Sequence, residues 1–533
     1  MLVCILALPD LFGKAMADDN MVRLAAPGPW PAISELIAFD NRIWFANGEP
    51  FRNFNAADIY SFDPATGGSR YEHGLFSQGA GKPAVVEGHL YWPYEDPRSN
   101  AGLGEYEVTD GTHWQRNSFT EGNALHVHAI KSCGGLLTAG TGGWEGALQQ
   151  STDEGATWQE IYRIPEVQGQ LSRITDLVEH NGHCLFAVTA WEQPGQRLFE
   201  LDKNGVKAID AWPVGERVSA LTSFHGALYA AHEGLGTRQF LRYDGKAVTP
   251  VILPRSGTVQ DVDASDDLIA VATSDAGGGN IFVSSDGQDW HLLQRIEQEL
   301  PVDILVVGKQ VYVGTHGSNR GSLWGPKEPL PATPAAVPLA PVTEQPLSDE
   351  TLDAALRTLN SALSPKPDYT SYQSGIISIL LPLALTHSDA AGLHLSKRAR
   401  RDLPSGSLMT FTQQPYSYEA LARWFLLYGA GLSGKGRVEL SWLGEAWTAV
   451  PRSSEKYFET SVAAIWAVGF MHQSNRETID ALIERLARSG EPAWLKGDVV
   501  AALTCVTDQR FGHDLKSWIA WWTKARADWP PAQ

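Results

Sequence analysis

Two histidines stand two residues apart in the run His126-Val127-His128. On an extended strand such a pair points to one side, and imidazoles placed so can share a metal ion or serve as acid and base near neutral pH. His232 and His316 are the histidines that could complete such a set. The sequence also offers arginines (Arg52, Arg98, Arg173, Arg217, Arg320), carboxylates (Asp96, Glu233, Asp261, Asp303) and two tryptophans (Trp144, Trp191), many of them in Gly-rich stretches. Guanidinium and carboxylate groups give directional hydrogen bonds and indoles give flat apolar faces, a combination suited to a sugar or peptide ligand. No Cys-x-x-Cys and no His-rich zinc spacing is present. The histidines therefore read as polar residues at a channel mouth, with no metal and no cofactor expected.

What would bring these residues together is a repeat. An apolar run, a Gly/Asn/Asp turn and a second apolar strand recur from Ile33, Pro83, Val127, Ile174, Val218, Val259 and Val302. The steps are roughly 41–50 residues, the period of a four-stranded propeller blade. Each repeat continues into a more polar pair of strands. A seven-bladed β-propeller over residues 20–325 is the expected fold, because one blade buries its faces only against its neighbours. The last repeat stops at Ser322-Leu323-Trp324-Gly325 without an outer strand, and residues 21–24, ahead of the first repeat, can supply it. In such a ring the starts of the inner strands and the ends of the next strands share one face. The starts carry His126, His128, Arg173, Arg217, Asp261 and Asp303. The ends and their loops carry Arg52, Asp96, Arg98, Trp144, Trp191, His232, Glu233, His316 and Arg320.

Ser151-Thr152-Asp153-Glu154-Gly155-Ala156-Thr157-Trp158 matches S-x-D-x-G-x-T-W in full. Ser284-Ser285-Asp286-Gly287-Gln288-Asp289-Trp290 is a shortened form, and Asp110-Gly111-Thr112-His113-Trp114 a weaker one. These runs resemble the Asp box of the BNR (sialidase-like) propellers, a superfamily of sialidases, glycanases, receptors and assembly factors. The resemblance implies a propeller and a structural role for Ser151, Asp153, Gly155, Trp158, Ser284, Asp286, Gly287 and Trp290 in outer turns. Asp and Ser bond local donors there, and Gly takes the positive φ. Tyr162-Arg163-Ile164-Pro165 is similar to the sialidase x-R-I-P motif, but it follows an Asp box instead of preceding one. No arginine triad or Tyr/Glu pair accompanies it.

Residues 326–347 are rich in Pro and Ala and read as a semi-rigid linker. Beyond it the pattern is helical, with expected helices at 349–363, 369–385, 418–428, 455–470, 476–488, 494–506 and 515–527. The ending, with Leu503-Thr504, Phe511-Gly512, Asp514, Trp518, Trp521 and Trp522, resembles terminal segments of HEAT-like repeat proteins. An all-α HEAT-like domain over 348–533 is the expectation, with the tryptophans as a packed cap.

Net charge is −19, and Lys+Arg equal Asp+Glu from Ser348 onward, so the whole excess lies in the first part. Such a surface repels phosphate backbones, and no nucleic-acid partner is expected. No apolar run is long enough for a membrane span. Residues 1–17, with apolar Leu2–Leu8 and the small-x-small site Ala15-Met16-Ala17, read as a signal peptide lacking a basic start. Cys133 and Cys184 fall on consecutive repeats and could pair, but with Cys505 the mature count is odd, which argues against a disulfide framework.

The functional expectation is a secreted or periplasmic, monomeric binding or scaffold protein. Its loop-rich propeller face would take a glycan or protein ligand without catalysis. The alternative is a carbohydrate-active enzyme, a glycoside hydrolase or lyase, at the same face. That would require two carboxylates about 5–10 Å apart or a histidine–metal site.

Overall fold

The computed structural model describes residues 21–49, 57–98, 104–119, 124–143, 145–165, 171–190, 194–234, 236–366, 368–409, 415–445 and 460–531. Residues 1–17, where a leader is expected, and Arg52, Trp144 and Trp191 lie outside them.

The strands form antiparallel four-stranded meanders in chain order. After β1 (Val22–Ala25), the first comprises β2–β5 (Ala32–Phe39, Arg42–Gly48, Ala57–Asp63, Gly68–Leu75). The second comprises β6–β9 (Ala84–Val86, His89–Pro93, Glu105–Thr109, Trp114–Ser118). Next come β10–β13 (His126–Cys133, Leu136–Gly143, Ala147–Ser151, Gln159–Arg163) and β14–β17 (Ser172–His180, His183–Ala190, Leu198–Asp202, Gly205–Ala208). These are followed by β18–β21 (Arg217–Phe224, Ala227–Gly234, Thr237–Tyr243, Val248–Pro250) and β22–β25 (Thr258–Ala264, Ile269–Asp275, Gly278–Ser284, His291–Glu297). The last holds β26–β28 (Leu300–Val307, Gln310–His316, Leu323–Gly325), and β1 completes it by pairing antiparallel with β28.

Strand chemistry explains this arrangement. Second strands such as β3 are buried on both faces and read as nearly continuous apolar runs, whereas outer strands such as β17 stay largely exposed. The first turn of a meander is often a two-residue turn with both φ positive, as at Asp40-Asn41 and Asn181-Gly182, which matches the strand twist. Each meander then shares an apolar core with the next. Trp44 and Trp92 bridge the first and second, Tyr106 and Trp158 the second and third, and Phe186 and Cys133 the third and fourth. Leu185 with Leu228, Tyr229 with Phe282, and Ile281 with Val313 carry the series round, and Tyr312 with Ile33 closes it. This closed ring of meanders is a β-propeller.

Two outer turns lock onto their neighbours in the same way. Ser151 Oγ donates to Asp153 Oδ1 (2.8 Å) and accepts the Gly155 N–H (2.8 Å), while Asp153 accepts from Thr157 N–H and Oγ1–H. The Gly155 carbonyl then accepts Tyr106 O–H from the preceding meander (2.8 Å). At the other turn Ser284 and Asp286 bond alike, and the Gly287 carbonyl accepts Tyr229 O–H (3.1 Å). Trp158 and Trp290 are buried behind them.

A disulfide joins Cys133 to Cys184, tying the third and fourth meanders; Cys505 is free. The odd cysteine count therefore does not prevent pairing.

Residues 326–347 form neither strand nor helix, but they lie against the propeller. Thr333 Oγ1 accepts from Asn41 N–H, Val337 N–H donates to Gly88 O, and Leu339 N–H donates to Asp110 Oδ2 (3.1 Å). The segment is a strap across three hairpin turns.

The helical region contains α1 (Asp349–Ala362), α2 (Tyr369–Ala384), α3 (Asp389–Ala399), α4 (Tyr418–Leu432), α5 (Leu440–Gly444), α6 (Thr460–Phe470), α7 (Arg476–Ala487), α8 (Ala493–Thr507) and α9 (Leu515–Ala525), with a hairpin of β29 (Ser407–Met409) and β30 (Pro415–Ser417). Ser348, Asp368, Ser417, Asn475 and Asp514 cap their helices through side-chain oxygens. Trp518 and Trp522 are buried and Trp521 is half-buried.

This region docks on the first two meanders through buried polar pairs. His513 Nε2 and Trp30 Nε1 both bond Asp58 Oδ2 (2.7 Å each), and Arg510 pairs with Glu72. Tyr428 O–H donates to Glu105 (3.0 Å), and Arg116, paired with Glu105, lies 4.1 Å over the Phe470 ring.

Candidate functional site

The channel wall is built by the innermost strands. Register shifts mark a bulge at Val127/Ala129, Ile174/Asp176, Val259/Asp261 and Pro301/Asp303, and wider shifts occur at Ser34/Ile37 and Ser219/Thr222. Such bulges re-aim the residue that follows. Asp176 Oδ2 accepts Leu221 N–H (2.9 Å), Asp261 Oδ2 accepts Ile304 N–H (3.2 Å), and Asp303 Oδ2 accepts Leu36 N–H (3.3 Å) and Glu35 N–H. Each carboxylate bonds the backbone of the next innermost strand. Asp261 and Asp303, expected at the mouth, are thus braces between meanders.

Lys82 reaches into this acidic wall, its Nζ 2.7 Å from Asp176 Oδ2. Burial opposes its charge, but Asp176, Asp261 and Glu35 outweigh burial and hold the ammonium well above its ordinary range. Burial pushes Glu35 up to about 8 despite Lys82, and burial likewise raises Asp261 and Asp303. The wall therefore sets the Lys82 ammonium against carboxyls held above their ordinary range.

The mouth above it is more open. The loop from Tyr94 to Arg98 places Glu95 near Arg173 and Arg217, and Asp96 near Arg173; these arginines begin or nearly begin β14 and β18. His126 Nδ1 bonds the Glu95 carbonyl, and the His126 and His128 rings stack with centroids 5.3 Å apart. Burial raises Glu95, opposed by Arg173 and Arg217. Burial and then Glu95 push Asp96 up to about 7. Burial, then Arg173, lowers His126 to about 4, and burial lowers His128 further, so both imidazoles are neutral at pH 7. His128 lies directly over Gly142, where an added Cβ would come within 2.7 Å of Nε2.

His126, His128, Arg173 and Arg217 thus come together, and they do so with Asp96 and Glu95. Of the other expected residues that are described, Glu233 adjoins Arg217 across β18 and β19 and the rest stand apart. Arg98 turns away and pairs with Asp498 of α8. His232 is buried against Trp212, with Gly215 and Gly234 pressed on its ring. His316 Nε2 lies 3.5 Å from Glu49. Glu233 sits opposite Arg217, and Arg320 is exposed on the loop before β28. Glu95, Lys82, Asp176 and Glu35 escaped the sequence reading. The recurring Asp before an aliphatic residue (Asp176-Leu177, Asp261-Val262, Asp303-Ile304) is the signal that marks the braces.

Among the described residues, His183, Glu200 and Asp202 are the grouping whose ligand atoms would suit a metal ion. It lies away from the mouth, and Lys207 Nζ sits 3.3 Å from both carboxylates, so an ammonium already supplies the positive charge.

No family model and no curated protein matches the chain. Solved structures are similar to part of it. The β-propeller domain of the Trilobed protease from Pyrococcus furiosus is 10% identical, with 55% of this chain and 95% of that one covered and a TM-score of 0.41. The Niastella koreensis GH74 enzyme is 15% identical over 56% of this chain and 53% of that one, with a TM-score of 0.42. YCF48 from Cyanidioschyzon merolae is 13% identical over 57% and 98%, with a TM-score of 0.39.

Proposed function

We propose that the chain is a secreted or periplasmic binding protein that holds a glycan or protein ligand at the channel mouth without transforming it. The observation that carries this reading is how the carboxylates are used. Asp176, Asp261 and Asp303 are bonded to backbone N–H groups of the next innermost strand, so these three carboxylates brace the deep channel instead of standing open for hydrolysis. The mouth, by contrast, gathers Glu95, Asp96, His126, Arg173 and Arg217 from separate meanders, as a recognition surface does.

In this reading the ring has seven blades, belongs with the Asp-box propellers, and is followed by a HEAT-like helical domain. The Cys133–Cys184 disulfide fits an oxidising compartment, in keeping with the leader expected at residues 1–17. One observation favours the enzyme alternative. A carboxyl pushed up to about 7, as at Asp96, is suited to proton donation.

Incubation of the purified protein with a glycan panel, followed by mass spectrometry of the bound and free fractions, separates the two. Retention of an intact glycan supports binding. Cleaved product that disappears in Asp96→Asn establishes the enzyme.

A further inference from the structure

A second charged surface lies in the helical region, at the end of α3. The run Ser396-Lys397-Arg398-Ala399-Arg400-Arg401 places four cations in six residues. Lys397 and Arg398, in the last turn, suit the negative end of the helix. Arg400 and Arg401 follow directly and exceed what one helix end needs.

A loop brings two more cations beside them. Residues 433–438 pack on α3 because Gly392 has no side chain; a Cβ there would come within 2.2 Å of the Lys435 carbonyl oxygen. Gly436 takes a φ of 139°, which favours glycine. Arg437 N–H donates to Ser396 Oγ (3.3 Å), and Arg400 donates to the Arg437 carbonyl (2.8 Å). Lys397, Arg400, Arg401, Lys435 and Arg437 are all exposed, while Arg398 donates to Asn360 of α1 (2.7 Å).

The helical region as a whole has no net charge, yet these six cations stand against only Asp389, Asp402 and Glu439. Lys435 pairs with Asp389 (3.2 Å) and Arg400 with Glu439 (2.8 Å). Exposed pairs of this kind contribute little and exchange readily for another anion. Lys397 and Arg401 have no carboxylate partner among the described residues.

Such a surface calls for a polyanion. Residues 389–401 and 433–439 contain no Phe, Tyr or Trp, so they give the bases of a single strand no ring to stack on. A duplex is a stiff rod, whereas these cations follow one helix end and one loop. Leu393 is the one large apolar side chain exposed on α3, short of the apolar face with which a helix lies in a membrane. Guanidinium forks match oxyanions, and the exposed His394 adds a group that bonds hydroxyls, as an acidic sugar chain requires.

We infer that the end of α3 and the adjoining loop bind an anionic polysaccharide through its sulfate or carboxylate groups. The site is independent of the channel mouth.

The test is isothermal titration calorimetry of the full-length protein with oligosaccharides of dextran sulfate, of polygalacturonate and of neutral dextran. Lys397→Ser/Arg401→Ser removes two exposed cations and leaves the bonds of Arg400 and Arg437 in place. The expected result is saturable binding of a charged chain and none of neutral dextran, weakening as salt rises. Preference for dextran sulfate assigns the contact to sulfate, and preference for polygalacturonate assigns it to carboxylate. The double variant should bind at least about tenfold more weakly. The mouth variant Arg217→Ala should bind as wild type does, so failure of the mouth reading leaves this one standing. Absence of binding to both charged chains, or equal binding by wild type and the double variant, overturns the proposal. So does tighter binding of duplex DNA or of phosphatidylglycerol vesicles than of either charged chain.

Discussion

Arg98, at the end of the loop that shapes the channel mouth, and Asp498, on helix α8, face each other as a two-armed ion pair with both side chains almost fully buried. The same loop presents Glu95 and Asp96 to the channel. The helical region therefore holds one wall of the mouth in place, and Trp494 adds its ring 5.5 Å from the Arg98 guanidinium. Breaking a buried pair from one side leaves an uncompensated charge and costs about 3–5 kcal/mol. Asp498→Ala is expected to separate helical-region unfolding from propeller unfolding in a guanidinium titration. A single unshifted transition would refute this coupling.

Asp303 ties the last innermost strand to the first through two backbone donors. Asp303→Ala removes the acceptor and leaves Leu36 N–H buried, a loss of about 1–3 kcal/mol. Denaturation midpoints should report it, while Asp303→Asn, which keeps one acceptor oxygen, loses less.

The interface also responds to pH. His73 Nε2 lies 2.7 Å from Glu107 Oε2, and the ring stacks on Trp114 at 4.4 Å. Burial opposes the imidazolium, but Glu107 and then Cys505 more than offset it and push the pKa up to about 10. A raised folded-state value means the folded protein holds the proton more tightly. The stabilisation is complete below the unfolded value of about 6.5 and is lost as pH rises toward 10. The stability difference between wild type and His73→Gln should therefore shrink across that window. A difference independent of pH would contradict the assignment.

The Cys133–Cys184 bond spans 51 residues. Replacing both by Ser is expected to cost about 2–4 kcal/mol through the freer unfolded chain. Thermal melts with and without reductant check this, since the serine variant should be insensitive to reductant.

The propeller was legible because its strands obey local rules. Apolar runs such as Val218–Phe224 and turns such as Asn181-Gly182 carry their own signal. Most helices were legible for the same reason. Helix α3 was missed, since Gly392 and His394 weaken its pattern, and so was the short α5. The site was harder to read. Asp261 and Asp303 were placed at the mouth by counting from strand starts, but the bulges before them turn their carboxylates toward the neighbouring strand. Arg98 looked free because its partner is 400 residues away. The Pro/Ala-rich segment read as a linker, because its bonds to Asn41 and Gly88 depend on the tertiary fold.

The central claim is that the mouth binds and does not transform its ligand. It is tested most directly by retention on an immobilised glycan and protein panel, comparing wild type with Arg173→Ala/Arg217→Ala and recovering what is bound. The account predicts an intact ligand held by wild type and lost at least about tenfold by the double variant. Equal retention by both proteins, or recovery of a cleaved ligand, would contradict it.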